Sequence, residues 1–314
     1  MLSRVADSLF WLGRNVERAE TVARILDVTY SRAMDHYAPG DGRAERLWRS
    51  VVRSVGFASE RLVEETTWTA ESTFDLCAFS ATASVVSAVR IARSNALGVR
   101  AELTTEVWET INVIYLYAEA QNRADVLRAG PSRFLRKIRD AMQAFAGVSD
   151  ATLAHADSWN FLQVGRFLER AYLTSRMIAS VDAEREPWPE SQRLLEMCCA
   201  SEPFAHFMRQ SPEPRDAIGF IAVAPDFPRS LRFCKRKIDD AMHRLSGTPN
   251  DTCGIDAERR LGRLRARFDY TTIDELLAPG RDVFASQQIH DFERLTVDIE
   301  TAYFPRLPVA VPVA

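Results

Sequence analysis

The chain of 314 residues has three lysines, Lys137, Lys235 and Lys237, so its 40 basic residues are almost all arginine. Arginine keeps its proton, so the chain is well supplied with anion-binding groups and poorly supplied with amines for Schiff-base or base chemistry. The five cysteines, Cys77, Cys198, Cys199, Cys234 and Cys253, are odd in number, two are adjacent, and none stands in a C-x-x-C. That spacing argues against a disulfide framework or a zinc knuckle and leads us to expect a reducing, cytoplasmic location. The five histidines form no His-Glu-x-x-His and no Glu-x-x-His, which removes the zincin and di-iron carboxylate readings. Glu202-x-x-x-His206 and Asp239-x-x-x-His243 offer two ligands each, too few for a site, so no metal and no cofactor is expected. There is no Walker A loop, no dinucleotide fingerprint and no G-x-S-x-G. No uninterrupted apolar run reaches ~20 residues, so no membrane contact is expected, and Met1–Asp7 lacks the basic-then-apolar layout of a signal peptide. With 40 basic against 43 acidic residues the net charge is −3, which gives no field to draw nucleic acid.

What the chain does have is helical periodicity. Val5, Leu9, Leu12, Val16, Ala19, Ala23 and Leu26 recur at three- and four-residue steps and make one apolar stripe, with Ser3 as N-cap. The helix is expected to run to a break at Ala38–Gly42. Further helices read at about 43–55, 66–79, 83–128, 131–146, 150–184, 189–200, 214–223, 229–246, 255–268 and 281–304. No stretch alternates at period two between turn signals. The proline-rich tail from Pro305 cannot continue a helix and reads as an extended arm.

The chain also repeats itself. Gly13-Arg14-Asn15-Val16-Glu17-Arg18-Ala19 returns as Gly165-Arg166-Phe167-Leu168-Glu169-Arg170-Ala171, and Arg24 meets Arg176 at the same spacing. Arg46-Leu47 resembles Arg193-Leu194, and Ser84-Val85 resembles Ser230-Leu231, in the same order. We therefore expect an all-α helical bundle of long helices built from two duplicated halves, 1–148 and 149–304, around a pseudo-two-fold axis, with a tail at 305–314.

Two constellations could carry chemistry. Arg14, Glu17, Glu20 and Arg24 flank the apolar stripe of the first helix, and Glu169 and Arg176 repeat the arrangement. Gly13 and Gly165 each cost a helix roughly 0.5–1 kcal/mol relative to Ala, which points to close helix approach at both places. The second constellation is Arg93, Asn95, Arg100, Glu106 and Glu109 on the expected long helix over 83–128, where Arg93 and Arg100 fall within the apolar arc. An arginine on a core-facing arc must be paired or bind an anion. Either a structural salt-bridge network or a polar ligand pocket fits these residues. Trp11, Trp48, Trp108 and Tyr115 read as core or interface anchors.

The opening Met1-Leu2-Ser3-Arg4-Val5-Ala6-Asp7-Ser8-Leu9-Phe10-Trp11-Leu12-Gly13-Arg14, with Glu17-Arg18-Ala19-Glu20 and Ala23-Arg24, resembles that of the bacterial alpha-E domain family. Asn95-Ala96, Val99-Arg100, Glu106-x-Trp108-Glu109 and Asn112 resemble a second signature of that family. The resemblance covers nearly the whole chain. It implies an all-helical fold and an association with a circularly permuted ATP-grasp-like ligase and a transglutaminase-like protein, in a peptide or amide ligation system. Three functions stay open: an accessory module binding the ligase or an anionic carboxylate or peptide ligand, an enzyme using Glu17 or Glu106 as general acid/base, and a scaffold whose charges fix helix register. Apposed arginines would lower the pKa of such a base, and no nucleophile motif accompanies it, so the residues favour binding without catalysis by the chain alone.

Overall fold

The apolar stripe read from the first residues becomes the helix on which the fold is organised. A computed structural model describes residues 1–37, 42–56, 67–182, 185–208 and 211–305; of the break expected at Ala38–Gly42, residues 38–41 lie outside them and Gly42 opens a helix, and the tail beyond Pro305 also lies outside them. Helix α1 spans Ser3–His36 and α2 Gly42–Val55. A short α3, Ala70–Phe74, runs into a π-helical turn, Asp75–Ser80, and is followed by α4, Val85–Gly98, α5, Thr105–Glu119, α6, Arg123–Ala129, and α7, Ser132–Thr152. The second part contains α8, Asp157–Ser180, α9, Pro187–Met197, α10, Ser201–Phe207, α11, Pro214–Val223, α12, Leu231–Ser246, α13, Asp256–Asp269, α14, Ile273–Leu277, and α15, Arg281–Tyr303. No strand occurs among the described residues. The fold is all-α.

Several expectations are corrected. Ser3 is the first residue of α1 and not its cap, which is Leu2 with no side-chain bond. The single helix expected over 83–128 is three helices. Its first break follows Gly98, where a 3₁₀ turn over Arg100–Glu102 precedes the Thr104 cap, whose side chain accepts from Val107 N. The second lies at Asn122, whose Oδ1 accepts from Ala124 N at 2.9 Å. The apolar residues keep their register through both breaks, so periodicity alone hides them, whereas the capping residues mark them. The helix expected over 150–184 is likewise split, because α7 ends at Thr152 and α8 begins at Asp157. The half boundary read at 148 falls inside α7.

The two halves present the same succession of long elements. In the first, α1 packs on α4 and α7, and α5 packs on both of those; in the second, α8 packs on α12 and α15, and α13 packs on both of those. Ser84 and Ser230 cap α4 and α12 in the same way, each side chain accepting a backbone N–H three residues on. The halves meet where α1 crosses α8, the most extensive helix–helix contact among the described residues. There Gly13 and Gly165 face each other's helix reciprocally. A Cβ on Gly13 would run into the Leu162 carbonyl, and one on Gly165 into the Phe10 carbonyl. Only hydrogen at both positions lets the backbones approach so closely.

One contiguous apolar core runs through both halves. Trp48 is buried in it, and Trp11, Trp108 and Tyr115 pack against it half-buried. The stretch Ala70–Gly98 includes 18 consecutive residues with a mean hydropathy of 1.4, apolar enough to cross a membrane by length and composition. In this fold the stretch is broken after Ser80, and 56% of those 18 residues is buried inside the protein.

Candidate functional site

The crossing of α1 and α8 buries charge as well as apolar surface. Glu17, from α1, receives a two-pronged arginine: Arg170 Nε and Nη2 donate to its two carboxylate oxygens, both at 2.7 Å. Arg229 donates to the same carboxylate at 3.4 Å, and Arg166 Nε stands 3.6 Å away. The counterpart Glu169, from α8, is held by Arg14, with Nε at 2.7 Å, and by Arg18 at 2.5 Å. The pairs are reciprocal: each Glu-Arg dipeptide supplies the carboxylate for the other helix's arginines. Both carboxylates are almost fully buried, and such charges persist only when directly paired.

Glu20 extends the network on the Glu17 side. It accepts from Arg229 at 2.5 Å, from Gln143 of α7 at 3.1 Å, and from Arg24, one helical turn along α1. Burial by itself would raise the pKa of Glu17, but the charges of Arg170 and Arg229 outweigh it and hold the carboxyl below its ordinary range. Burial likewise opposes ionisation of Glu20, and Arg229 and Arg24 outweigh it, so its pKa falls to about 2. Arg166 is pushed the other way, down to about 10, by burial and then by the charge of Arg170. Carboxylates held ionised this firmly are weak bases and cannot serve as acids near neutral pH. Burial raises the Cys198 and Cys234 thiols to about 12, which removes them as nucleophiles.

This network forms one wall of a cleft of about 640 Å³ between α1, α7, α8 and α12. Five cations line it, Arg166, Arg170, Arg229, Lys237 and Arg244, against three carboxylates, Glu17, Glu20 and Asp150. A second cleft, of about 480 Å³, lies beside α2. There Arg43, Arg46 and Arg53 are solvent-exposed, and Glu190 is already taken by the buried Arg193.

Of the residues expected to form a site, Arg14 meets Glu169 on one side of the crossing, Glu20 meets Arg24 on the other, and only Glu17 and Glu20 line the cleft. Arg176 lies two turns further along α8 and donates to the Arg53 carbonyl, tying α8 to α2. Arg93 and Arg100 sit at the edge of the first half, both over the Trp108 ring, at 5.4 and 5.6 Å from its centroid. Arg93 also lies over Tyr115 and reaches Asn112, while Arg100 bonds the Leu103 carbonyl. Asn95 is half-buried on α4, and Glu106 and Glu109 are exposed on α5. Neither Arg100 nor Glu106 lines the cleft that holds Glu17.

Sequence reading missed Arg166, Arg170 and Arg229 as site residues. The repeat already contained the first two, since they stand where Arg14 and Arg18 stand. Nothing local marks Arg229, which reaches Glu17 across 212 positions of chain. A fully buried lysine, Lys235, was also not foreseen as a core residue. Its ammonium donates to Gln288 at 2.7 Å against the face of Phe268, and burial pushes its pKa well below the ordinary value.

Comparison with known proteins agrees with this architecture. A family model, Alpha-E, described as a predicted alpha-helical domain with a conserved ER motif, matches residues 1–304. The chain belongs to that family. Glu17-Arg18 and Glu169-Arg170 are the Glu-Arg dipeptides that the crossing buries. The chain is 23% identical over 340 aligned positions to Uncharacterized protein Mb2597 of Mycobacterium bovis and to Uncharacterized proteins MT2643 and Rv2567 of Mycobacterium tuberculosis. The match covers 97% of this chain and 37% of each relative, so the chain spans little more than a third of their length. No solved structure matches it.

Proposed function

We propose that this Alpha-E chain is a binding module, not catalytic by itself, that holds an anionic carboxylate- or peptide-bearing ligand in the cleft beside Glu17. The setting we propose is an ATP-grasp-linked peptide or amide ligation system in the cytoplasm, with an ATP-grasp-like ligase and a transglutaminase-like protein as partners. The observation that carries the reading is the charge of the cleft. Five cations face three carboxylates, and Glu17 and Glu20 are already neutralised by buried arginines. An anion entering the cleft meets a surplus of guanidinium and ammonium groups, and charge-assisted bonds to such groups are the strong ones. The low pKa values of Glu17 and Glu20 support binding over acid/base catalysis. The same reading takes the two halves as copies of one ancestral unit.

A structural role for the other Glu-Arg pair stands beside this one. Glu169 sits between Arg14 and Arg18, with Arg14 also stacked 4.9 Å from the Trp11 ring, and we read that pair as a clamp fixing the crossing.

The test is calorimetric titration of the full chain with glutamate and with inorganic phosphate at low salt. Lys237 and Arg244 line the cleft without entering the buried network, so K237A/R244A removes two of its five cations and leaves the fold intact. Anion affinity is expected to fall about tenfold in that variant and to fall with salt in the wild type. Absence of binding at millimolar anion, together with failure of an ATP-grasp-like ligase to co-purify, would refute the proposal.

A further inference from the structure

Resting on the anion-binding reading of the cleft, we infer that one face of α8 is a hydrogen-bonding rail for an extended, acceptor-rich ligand ending in a carboxylate; the chemical class it fits is a short acidic peptide. Trp159, Gln163 and Arg166 all line the cleft. They stand at i, i+4 and i+7, hence on one face of the helix, over a rise of roughly 10 Å. Each carries a buried N–H group with no hydrogen-bond acceptor in the protein: Nε1 of Trp159, Nε2 of Gln163 and Nε of Arg166.

A buried donor left unpaired costs about 1–3 kcal/mol, and native proteins keep few of them. Three of them lie along one face of one helix in one cleft, and each side chain is otherwise held. The Trp159 ring stacks on His155 with centroids 4.1 Å apart. The Gln163 carbonyl oxygen accepts from Arg166 Nη1 at 3.3 Å, which fixes the amide and leaves its NH₂ end to be satisfied. Arg166 Nε stops 3.6 Å from Glu17, outside hydrogen-bond distance, because Arg170 already occupies both oxygens of that carboxylate.

The chemistry of the row selects its ligand. All three groups are donors, so the ligand presents acceptors. A row roughly 10 Å long exceeds the span of a single phosphate or carboxylate. Successive donors rise about 6 and then about 4.5 Å along the helix, too far apart for one acceptor, and an extended peptide offers a carbonyl at every residue, about every 3.3 Å along its length. The terminal carboxylate belongs at the Arg166 end, where Arg170 and Arg229 converge. The matching positions of α1 are Asp7, Trp11 and Arg14, and there Arg14 is fully engaged with Glu169. The rail therefore exists on one helix of the pair only.

The experiment titrates the full chain with triglutamate, glutamate and inorganic phosphate by calorimetry, and follows the Trp159 indole N–H by ¹⁵N–¹H NMR, assigned through its backbone. W159F and Q163L remove one donor each while keeping an apolar body of similar shape. Triglutamate is expected to bind at least tenfold more tightly than glutamate. Each variant should weaken triglutamate about 5- to 10-fold, the worth of one hydrogen bond, and leave phosphate binding unchanged. The indole resonance should move with triglutamate and stay still with phosphate. Triglutamate binding that is no tighter than glutamate binding, or an indole resonance unmoved at saturation, overturns the rail. If K237A/R244A still lowers anion affinity in that case, the cleft reading survives without the rail. If the wild type binds no anion, both readings fall. Thermal unfolding checks that the variants fold, and where one does not, the wild-type indole shift decides.

Discussion

The two sides of the α1–α8 crossing start from the same seven-residue pattern and end as different environments. On one side Glu169 meets two arginines, Arg14 and Arg18, and the position matching Glu20 is Tyr172, whose hydroxyl donates to Glu293 at 3.5 Å and accepts from Arg176 at 3.3 Å. On the other side Glu17 meets Arg166, Arg170 and Arg229, and Glu20 adds a second carboxylate with Arg24 and Gln143 around it. Arg229 precedes the Ser230 cap of α12; its counterpart, Ala83, precedes the Ser84 cap of α4 and carries no charge. The difference shows that the repeated motif builds the crossing, while residues outside the motif decide which side becomes an electropositive cleft. The same contrast recurs in the bundle cores. Val89 and Ile138 are buried apolar residues of α4 and α7, and the places that match them on α12 and α15 hold Lys235 and Gln288, bonded to each other and equally buried.

This comparison can be broken by experiment. The largest effect is expected from E17Q, which takes the carboxylate from Arg166 and Arg170 and leaves Arg229 with Glu20 alone; about 4 kcal/mol of stability should be lost, measured by urea denaturation. E169Q should cost about 3 kcal/mol, since it strands only two. Equal losses would mean that Arg229 adds nothing to the Glu17 side.

Acid comes next. The pKa of Glu20 is lowered in the fold to about 2 from an ordinary 4.5. A depressed pKa contributes stability that is fully present above the unfolded value and lost as pH falls through the folded one. The wild type should therefore lose up to about 3 kcal/mol between pH 4.5 and 2 from this group, whereas E20Q should show a shallower acid limb over that window. Parallel acid limbs would detach Glu20 from the network.

G13A and G165A test the symmetry of the crossing itself. Each would drive a methyl group into a backbone carbonyl that cannot turn aside, and each should cost about 2 kcal/mol despite the better helix propensity of alanine. Unequal costs would show that the reciprocal contact is not equally tight in both directions. The smallest effect is expected from E106A and E109A, exposed on α5: within about 0.5 kcal/mol in stability and no change in anion affinity. A clear loss of binding there would restore the second constellation to the site.

Much of the fold was legible because helix periodicity is a local signal. The stripe from Val5 to Leu26 gave α1, and the two glycines announced the close approach. The breaks at Gly98 and Asn122 were less visible, since apolar spacing continued across them and only cap chemistry marked the ends. The site was half legible. Glu17, Glu20 and Arg24 share the network beside the cleft, Arg14 and Glu169 pair on the other side of the crossing, and Arg93, Asn95, Arg100, Glu106, Glu109 and Arg176 lie elsewhere. Trp108 explains part of that error: Arg93 and Arg100 found their partner in an aromatic face at the protein's edge, which a helical wheel cannot distinguish from a core-facing ion pair.

The amino-acid sequence by itself determined that this chain is predominantly helical, that two Glu-Arg motifs recur in register, and that arginine supplies nearly all of its positive charge. Those features depend on spacing within a few helical turns, where neighbours in sequence are neighbours in space. Only the tertiary structure decided that Glu17 would be gripped by arginines more than 150 positions away, that Arg229 would complete one side and not the other, and that Trp159, Gln163 and Arg166 would face one cleft. The strength and partner of a buried charge are set by whatever the fold brings within a few ångströms of it, and chain distance carries no record of that.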